Sequence, residues 1–253
     1  MKFFIINLEH DIEKREKITK LCDSLGIDYE IIKAIYGKAL SEDEIKNNVA
    51  SVDEQLKYLR KPLSLGEIGC AMSHRYCYQR IIDDGLEEAI ILEDDAVFNE
   101  ELLEFLEHKN EFPKDLELLL LGHYWQVYLD DGFTIQSPFS KRFNLNIANR
   151  SIKRIIGRGN GTHGYYITKN GAKKLLDRMN KIYIAADHYT SNDIYINLYA
   201  LFPVVIKTDI KLISSINSNK DIKKRSIFRK YFKLCKQKIM YFIPSLKKPK
   251  DYI

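Results

Sequence analysis

With 253 residues, 45% of them hydrophobic, the chain is long enough to bury one sizeable α/β core, alone or with an appendage, and needs no disulfide staples. Its net charge of +5 is unevenly placed: from Lys220 to Ile253 twelve Lys/Arg face only Asp221 and Asp251, a local +10 that leaves −5 on residues 1–219. A mildly acidic body with no recognised nucleic-acid motif argues against DNA or RNA as the main partner. Cys22, Cys70, Cys77 and Cys235 are too scattered for a metal knuckle or a secreted disulfide framework and are expected as reduced thiols of a cytosolic protein.

The opening run Phe3-Phe4-Ile5-Ile6 meets charge too soon for a signal peptide or a membrane span, so a first buried strand is expected there. An amphipathic stretch from about Asp11 to Leu25 closes at Gly26, the pattern of a helix with a glycine stop. Tyr29 to Ile32 reads as a second strand, followed by Ala34-Ile35-Tyr36-Gly37, while Ser41 to Arg60 lacks a strong period and suggests short helices and a mobile loop. The stretch from Ser64 to Asp84 is helical in pattern, with Ser64 and Glu67 spaced as a capping box and Gly85 just past the end. Ala89 to Leu92 is a buried-strand run that stops at Glu93-Asp94-Asp95, and Leu116 to Leu121 closes on Gly122. Further on, Tyr165 to Thr168 is expected as a strand, Gly171 to Met179 as a helix and Val204 to Ile206 as another strand. Strands alternating with helices predict a mostly parallel sheet covered on both faces, with ligands at the carboxyl ends of its strands. The composition divides the chain into a catalytic domain over residues 1–218 and a basic amphipathic tail over 219–253.

The three carboxylates after Leu92 are the first chemical signal. Like charges this close repel and raise one another's pKa unless a cation sits between them, and oxygen ligands favour a hard ion such as Mg²⁺ or Mn²⁺. Such an ion stabilises charge on a departing diphosphate. An isolated Glu-Asp-Asp is more often a solvated turn after a strand, so alone the motif is weak.

Upstream stands Leu65-Gly66-Glu67-Ile68-Gly69-Cys70-Ala71-Met72-Ser73-His74, and downstream Gly161-Thr162-His163-Gly164-Tyr165-Tyr166-Ile167. Together with Asn7-Leu8-Glu9, Arg15 and the acidic strand end, this ordered set resembles glycosyltransferase family 25, which includes lipooligosaccharide galactosyltransferases. The resemblance implies a GT-A-type, Rossmann-like sheet that binds a nucleotide diphosphate-sugar. It implies donor contacts by Asn7, Leu8, Glu9, Arg15, Ala34, Ser73, His74, Glu93, Asp94 and Asp95. Within that set it implies Mn²⁺ or Mg²⁺ held by Asp95, with Glu93, and a sugar or acceptor contact at Gly161, Thr162, His163, Gly164 and Tyr165. The segment Ile184 to Tyr189 resembles the family's aspartate-bearing region, which nominates Asp187 as general base with Asp193 in reserve. Each role has a plainer counterpart: Arg15 pairing with Glu9 or Glu13, Ser73 and His74 packing within a helix, Gly161 making a turn, Asp187 capping a helix. Where relatives often carry a histidine after the last strand, this chain reads Leu212-Ile213-Ser214-Ser215-Ile216-Asn217, so Ser214, Ser215 or Asn217 must substitute or the metal is held more weakly.

The function expected on these grounds is an inverting, metal-dependent hexosyltransferase. It would move galactose from UDP-galactose onto a lipooligosaccharide or lipopolysaccharide acceptor. In the tail, Phe228, Tyr231, Phe232, Tyr241 and Phe242 alternate with cations, which predicts docking on an anionic surface at the inner face of the bacterial cytoplasmic membrane. The rivals are a membrane- or nucleic-acid-binding protein acting through that tail, and an inactive relative that binds donor without turnover.

Overall fold

A computed structural model describes residues 1–123, 126–128, 134–136, 139–156, 161–192 and 194–208. The expected tail over 219–253, and with it Ser214, Ser215 and Asn217, lies outside the described residues, as does Asp193.

The first half follows the hydrophobic pattern closely. Strand β1 (Lys2–Asn7) leads into α1 (Ile12–Ser24) and β2 (Tyr29–Lys33). Two short helices, α2 (Glu42–Asn48) and α3 (Val52–Leu56), occupy the charged stretch, each with a serine hydroxyl accepting a backbone N–H at its start. Helix α4 (Leu65–Asp83) carries the expected capping box: the Ser64 hydroxyl accepts the Glu67 N–H, and Glu67 accepts from Ser64 in return. Both long helices end alike. Gly26 at φ +64° and Gly85 at φ +65° turn the chain left-handed, and the next residue donates back into the last turn, Ile27 to the Cys22 carbonyl and Leu86 to that of Ile81.

Beyond α4 come β3 (Glu88–Glu93), the two-residue β4 (Ala96–Val97), α5 (Glu101–Glu107) and β5 (Leu118–Gly122). A small pair follows, β6 (Gln126–Tyr128) and β7 (Thr134–Gln136), then β8 (Phe139–Ile147) and β9 (Arg150–Ile155). The described chain closes with β10 (Gly164–Thr168), α6 (Lys169–Arg178), α7 (Ala186–Thr190), β11 (Leu198–Phe202) and β12 (Lys207–Thr208). Eight strands form one sheet in the order β2-β1-β3-β10-β5-β11-β9-β8. The strand pairings make β2, β1, β3, β5, β11 and β8 run one way, while β10 and β9 run against them. The result is a mixed α/β fold with a large, mostly parallel central sheet.

Alternation along the strands supplies a core on each face. Phe4, Ile6, Ile91, Leu118 and Leu120 point toward Ala71, Met72 and Tyr78 of α4 and Leu175 of α6. Phe3, Ile5, Ile90, Leu119 and Leu121 point the other way, toward Ile18 and Cys22 of α1 and Leu102 and Phe105 of α5. Each such side chain, removed from water, contributes about 1.5–3 kcal/mol, so both helical layers are held independently of any ligand.

Two expectations needed correction. Val204 to Ile206 is not a strand; it links β11 to β12, with the Val205 and Ile206 N–H groups both donating to the Leu121 carbonyl. The β8–β9 hairpin was not foreseen, because its turn uses Ala148 and Asn149 at φ +48° and +60° in place of the usual Asn-Gly, and its edge strand β8 is largely polar.

One packing contact shapes the ground next to the strand ends. Gly37 and Gly69 bring the segment after β2 against the first half of α4, backbone on backbone. A Cβ on Gly69 would stand 2.4 Å from the Ile35 carbonyl oxygen and 2.7 Å from the Gly37 nitrogen. The Ser73 hydroxyl secures the same contact, accepting the Ile35 N–H at 2.8 Å and donating to the Gly69 carbonyl at 2.7 Å. Since no side-chain rotation relieves such a clash, Gly69→Ala is expected to cost about 1–3 kcal/mol in urea unfolding. A midpoint equal to that of the parent chain would mean the backbones are not packed this closely.

Candidate functional site

The carboxyl ends of β1 and β3, the segment after β2 and the first half of α4 enclose a cleft of about 200 Å³. Leu8, Ala34, Ser73, His74, Glu93, Asp94 and Asp95 line it, so seven of the ten residues expected at a donor converge there. The other three stand behind or beside it. Asn7 is buried and its amide donates to Asp94 Oδ2 at 2.9 Å and to the Asp11 carbonyl at 3.1 Å. Arg15 donates to Asn7 Oδ1 at 3.4 Å and to the Glu9 carbonyl at 3.1 Å, so it braces the end of β1. The Glu9 carboxylate is exposed and paired with Lys33 at 2.6 Å, which lowers its pKa.

The three clustered carboxylates have different surroundings. Burial raises the pKa of Asp94, but Lys14 at 3.4 Å and the Asn7 amide oppose the rise by favouring its charge. Burial also works against the charge of Lys14, yet Asp94 and Asp11 outweigh it and Lys14 is held above the ordinary lysine range. Asp95 has weaker help, from the more distant charge of Lys14 and from its own backbone N–H. Its Oδ1 is buried with no hydrogen-bond partner, and burial, then Glu93, then Asp94 push its pKa up to about 6. A divalent cation beside Asp95 and Glu93 would fill that unmet acceptor and reverse the repulsion, so the donor set fits a hard ion.

His74 closes the inner end. Its ring is buried, with Nδ1 2.7 Å from the Tyr165 hydroxyl, which is itself 2.8 Å from that of Tyr78. Nε2 points toward Glu93 Oε1 at 3.7 Å, outside hydrogen-bond reach.

The segment before β10 is tied to the same place. The Glu93 N–H donates to the His163 carbonyl at 3.1 Å, which brings Gly161, at φ +81°, and the buried Thr162 and His163 alongside the acidic strand end. Gly164 and Tyr165 belong to the sheet interior: a Cβ on Gly164 would meet Ile206 at 2.5 Å, and Tyr165 is fully buried under His74. Asp187 lies in the first turn of α7, whose N-cap is Ala185, so the capping alternative does not describe it. Its side chain is half exposed, 3.8 Å from His188 Nε2, and its charge acts with that of Glu93 on the Cys70 thiol.

Sequence reasoning gave Lys14 and Cys70 no individual role at this site. Nothing distinguishes Lys14 from other helix-surface lysines, whereas Cys70 and His74 are spaced i and i+4 on one helix face, a signal that was available.

Residues 1–190 match the model of glycosyltransferase family 25, described as an LPS biosynthesis protein. Procollagen galactosyltransferase 1-B of Xenopus laevis is 31% identical over 180 residues, 69% of this chain and 28% of the relative. A glycosyltransferase 25 family member of Aedes aegypti is 29% identical over 69% of this chain and 27% of the relative. The chain thus spans less than a third of the length of these relatives. The crystal structure of A197 from STIV aligns with a TM-score of 0.41 at 13% identity, covering 81% of this chain and 82% of that one.

Just behind the cleft, His123 follows β5, buried, with Nε2 at 3.2 Å from the Leu201 carbonyl. Burial first, and the neighbouring His163 as a lesser cause, lower its pKa to about 4. The unfolded chain, with an ordinary histidine, therefore takes up a proton near pH 6.5 that the native chain refuses until about pH 4. Stability is expected to fall as pH drops through that window, by an amount on the order of 2–3 kcal/mol for this group. His163, also lowered chiefly by burial, adds in the same sense. Urea titrations at stepped pH should show His123→Gln with a shallower decline than the parent chain; parallel slopes would refute the assignment.

Proposed function

We propose that this chain, which belongs to glycosyltransferase family 25, transfers galactose from UDP-galactose to a hydroxyl of a lipooligosaccharide or lipopolysaccharide glycan, with inversion at the anomeric carbon. The observation that carries the reading is the partly buried, partly uncompensated carboxylate set Glu93–Asp95 at the strand ends of the cleft. Galactose is favoured by the similarity to procollagen galactosyltransferases, and the bacterial glycan by the family's description as an LPS biosynthesis protein.

Leu8, Ala34 and the neighbouring Tyr36 offer the cleft wall against which a nucleoside packs. Asn7 and Lys14 hold Asp94 in place, and Lys14 keeps a positive charge at the rim that faces a diphosphate. Glu93 and Asp95 would hold Mn²⁺ or Mg²⁺, which when bound supplies charge stabilisation to the leaving diphosphate. The acceptor hydroxyl must lose its proton as it attacks the anomeric carbon and the bond to the diphosphate breaks on the opposite face; Asp187 is the proposed proton acceptor. The basic tail is proposed to dock the enzyme on the anionic cytoplasmic face of the membrane, which raises the local concentration of a lipid-linked acceptor.

A panel of nucleotide-sugars assayed for Mn²⁺-dependent hydrolysis tests the donor: UDP-galactose should be consumed fastest and chelator should stop it. Asp95→Ala should abolish that turnover with the circular dichroism spectrum unchanged, and Asp187→Asn should lower kcat by about 10² to 10⁴ with little change in donor affinity. Wild-type turnover in Asp95→Ala, or turnover indifferent to chelator, would remove the metal role. Donor binding without any turnover would favour the inactive relative.

Truncation at Asn219 separates the membrane role. Rates on a soluble oligosaccharide should stay unchanged while those on the vesicle-embedded glycan drop, and vesicle binding by the full chain should weaken at high salt. Equal losses on both acceptors would mean the tail supports the fold and not the membrane contact.

A further inference from the structure

The inner wall of the cleft carries a second set of donors, distinct in chemistry from the carboxylates at its rim. Cys70 and His74 project from successive turns of α4 on one face, and Glu93 meets them from the end of β3. One ligand atom from each, a sulfur, an imidazole nitrogen and a carboxylate oxygen, lies within 4.8 Å of the other two. We propose that Cys70, His74 and Glu93 form a binding site for a thiophilic divalent cation, Zn²⁺ in the first instance, with its fourth position open to the cleft.

Two independent features support a ligand here. The first is the state of His74. A ring that is 1% exposed leaves Nε2 without a hydrogen-bond partner and aims it at Glu93, while Nδ1 is fixed by Tyr165. Buried polar nitrogens are nearly always satisfied, and a histidine whose far nitrogen is held by a hydroxyl or carbonyl is the usual arrangement of a metal ligand. The Tyr78 hydroxyl holds that of Tyr165 in turn, so the ring's orientation is set two shells deep.

The second feature is the donor set. Oxygen-only sites suit Mg²⁺ and Mn²⁺, whereas sulfur with imidazole and one carboxylate suits Zn²⁺, and three protein ligands with an open position are the pattern of an accessible zinc site. Around one tetrahedral ion, donor atoms stand roughly 3.2–3.8 Å apart. His74 and Glu93 already satisfy that at 3.7 Å, and the Cys70 sulfur lies within 4.8 Å of both, so about 1 Å of side-chain movement completes the set. Burial, with Glu93, Asp187 and Glu67 adding to it, holds the Cys70 thiol well above its ordinary range. Metal entry would form the metal–sulfur bond as the thiol proton passes to solvent. Because Glu93 belongs to both sets, Zn²⁺ here withdraws a carboxylate from the cation expected beside Asp95.

The proposal does not rest on the transferase reading, and its test needs no sugar. Purified full-length chain, kept in a non-thiol reductant, is titrated with Co²⁺ as a coloured stand-in for Zn²⁺. Expected is one equivalent bound, with a near-ultraviolet sulfur-to-cobalt charge-transfer band that Zn²⁺ abolishes and excess Mg²⁺ leaves in place. Cys70→Ala should lose the band while Cys22→Ala and Cys235→Ala keep it. Tyr165→Phe, which frees the ring, should weaken binding about 10- to 100-fold. Should Cys70→Ala fail to fold, protection of Cys70 in the wild-type chain against alkylation by N-ethylmaleimide, mapped by mass spectrometry, is read with and without Zn²⁺. No charge-transfer band in the wild type, a band that survives in folded Cys70→Ala, or equal alkylation of Cys70 with and without Zn²⁺ would overturn the assignment.

Discussion

Crowding of Glu93, Asp94 and Asp95 at the end of one buried strand is the constraint around which the site is organised. Three carboxylates in succession, partly withdrawn from water, cannot all stay charged without compensation. The fold supplies it unevenly: Asp94 receives the Asn7 amide and Lys14, while Asp95 is left with a buried oxygen that no protein group meets. This imbalance, more than the number of acidic residues, distinguishes the cleft electrostatically.

Each element around the cleft serves that arrangement. β1 and β3 are parallel neighbours, Ile6 beside Glu93 in register, so Asn7 and Asp94 emerge side by side at the same edge. Helix α1 starts at that edge and places Lys14 within reach of Asp94. On the far side, antiparallel β10 zips to β3, and the Glu93 N–H extends that zipper to the His163 carbonyl. The close approach of Gly37 and Gly69 seats the wall of Ala34, Ile35 and Tyr36 against α4, and the Ser73 hydroxyl helps hold it. Ser73 thus lines the cleft while its proton is committed to the backbone.

Glu93 stands between two chemistries. Toward the rim it faces Asp95, an oxygen donor; inward it faces His74 and Cys70, a nitrogen and a sulfur donor. A charge change on either side is felt by this one carboxylate. The Tyr78–Tyr165–His74 chain beneath it is wholly buried and joined hydroxyl to hydroxyl to ring, whereas Glu93 is partly exposed.

Much of this was legible in the residues. The capping box at Ser64 and Glu67, the glycine stops at Gly26 and Gly85, and the apolar runs of β1, β3 and β5 are local signals whose physics acts over a few residues, and they placed the elements and the acidic strand end. Membership of the family likewise follows from residues 1–190 alone. What tertiary structure decided is partnership. Asn7 carries no mark in the sequence saying that it braces Asp94, because that contact spans 87 positions and depends on strand order. The same holds for the burial of Tyr165 beneath His74, for the polar β8–β9 hairpin that joins the sheet only by pairing with β11, and for the separate fates of Asp94 and Asp95. Adjacent residues of one type read alike in a sequence; burial and neighbours, set by long-range packing, give them different partners and different electrostatic surroundings.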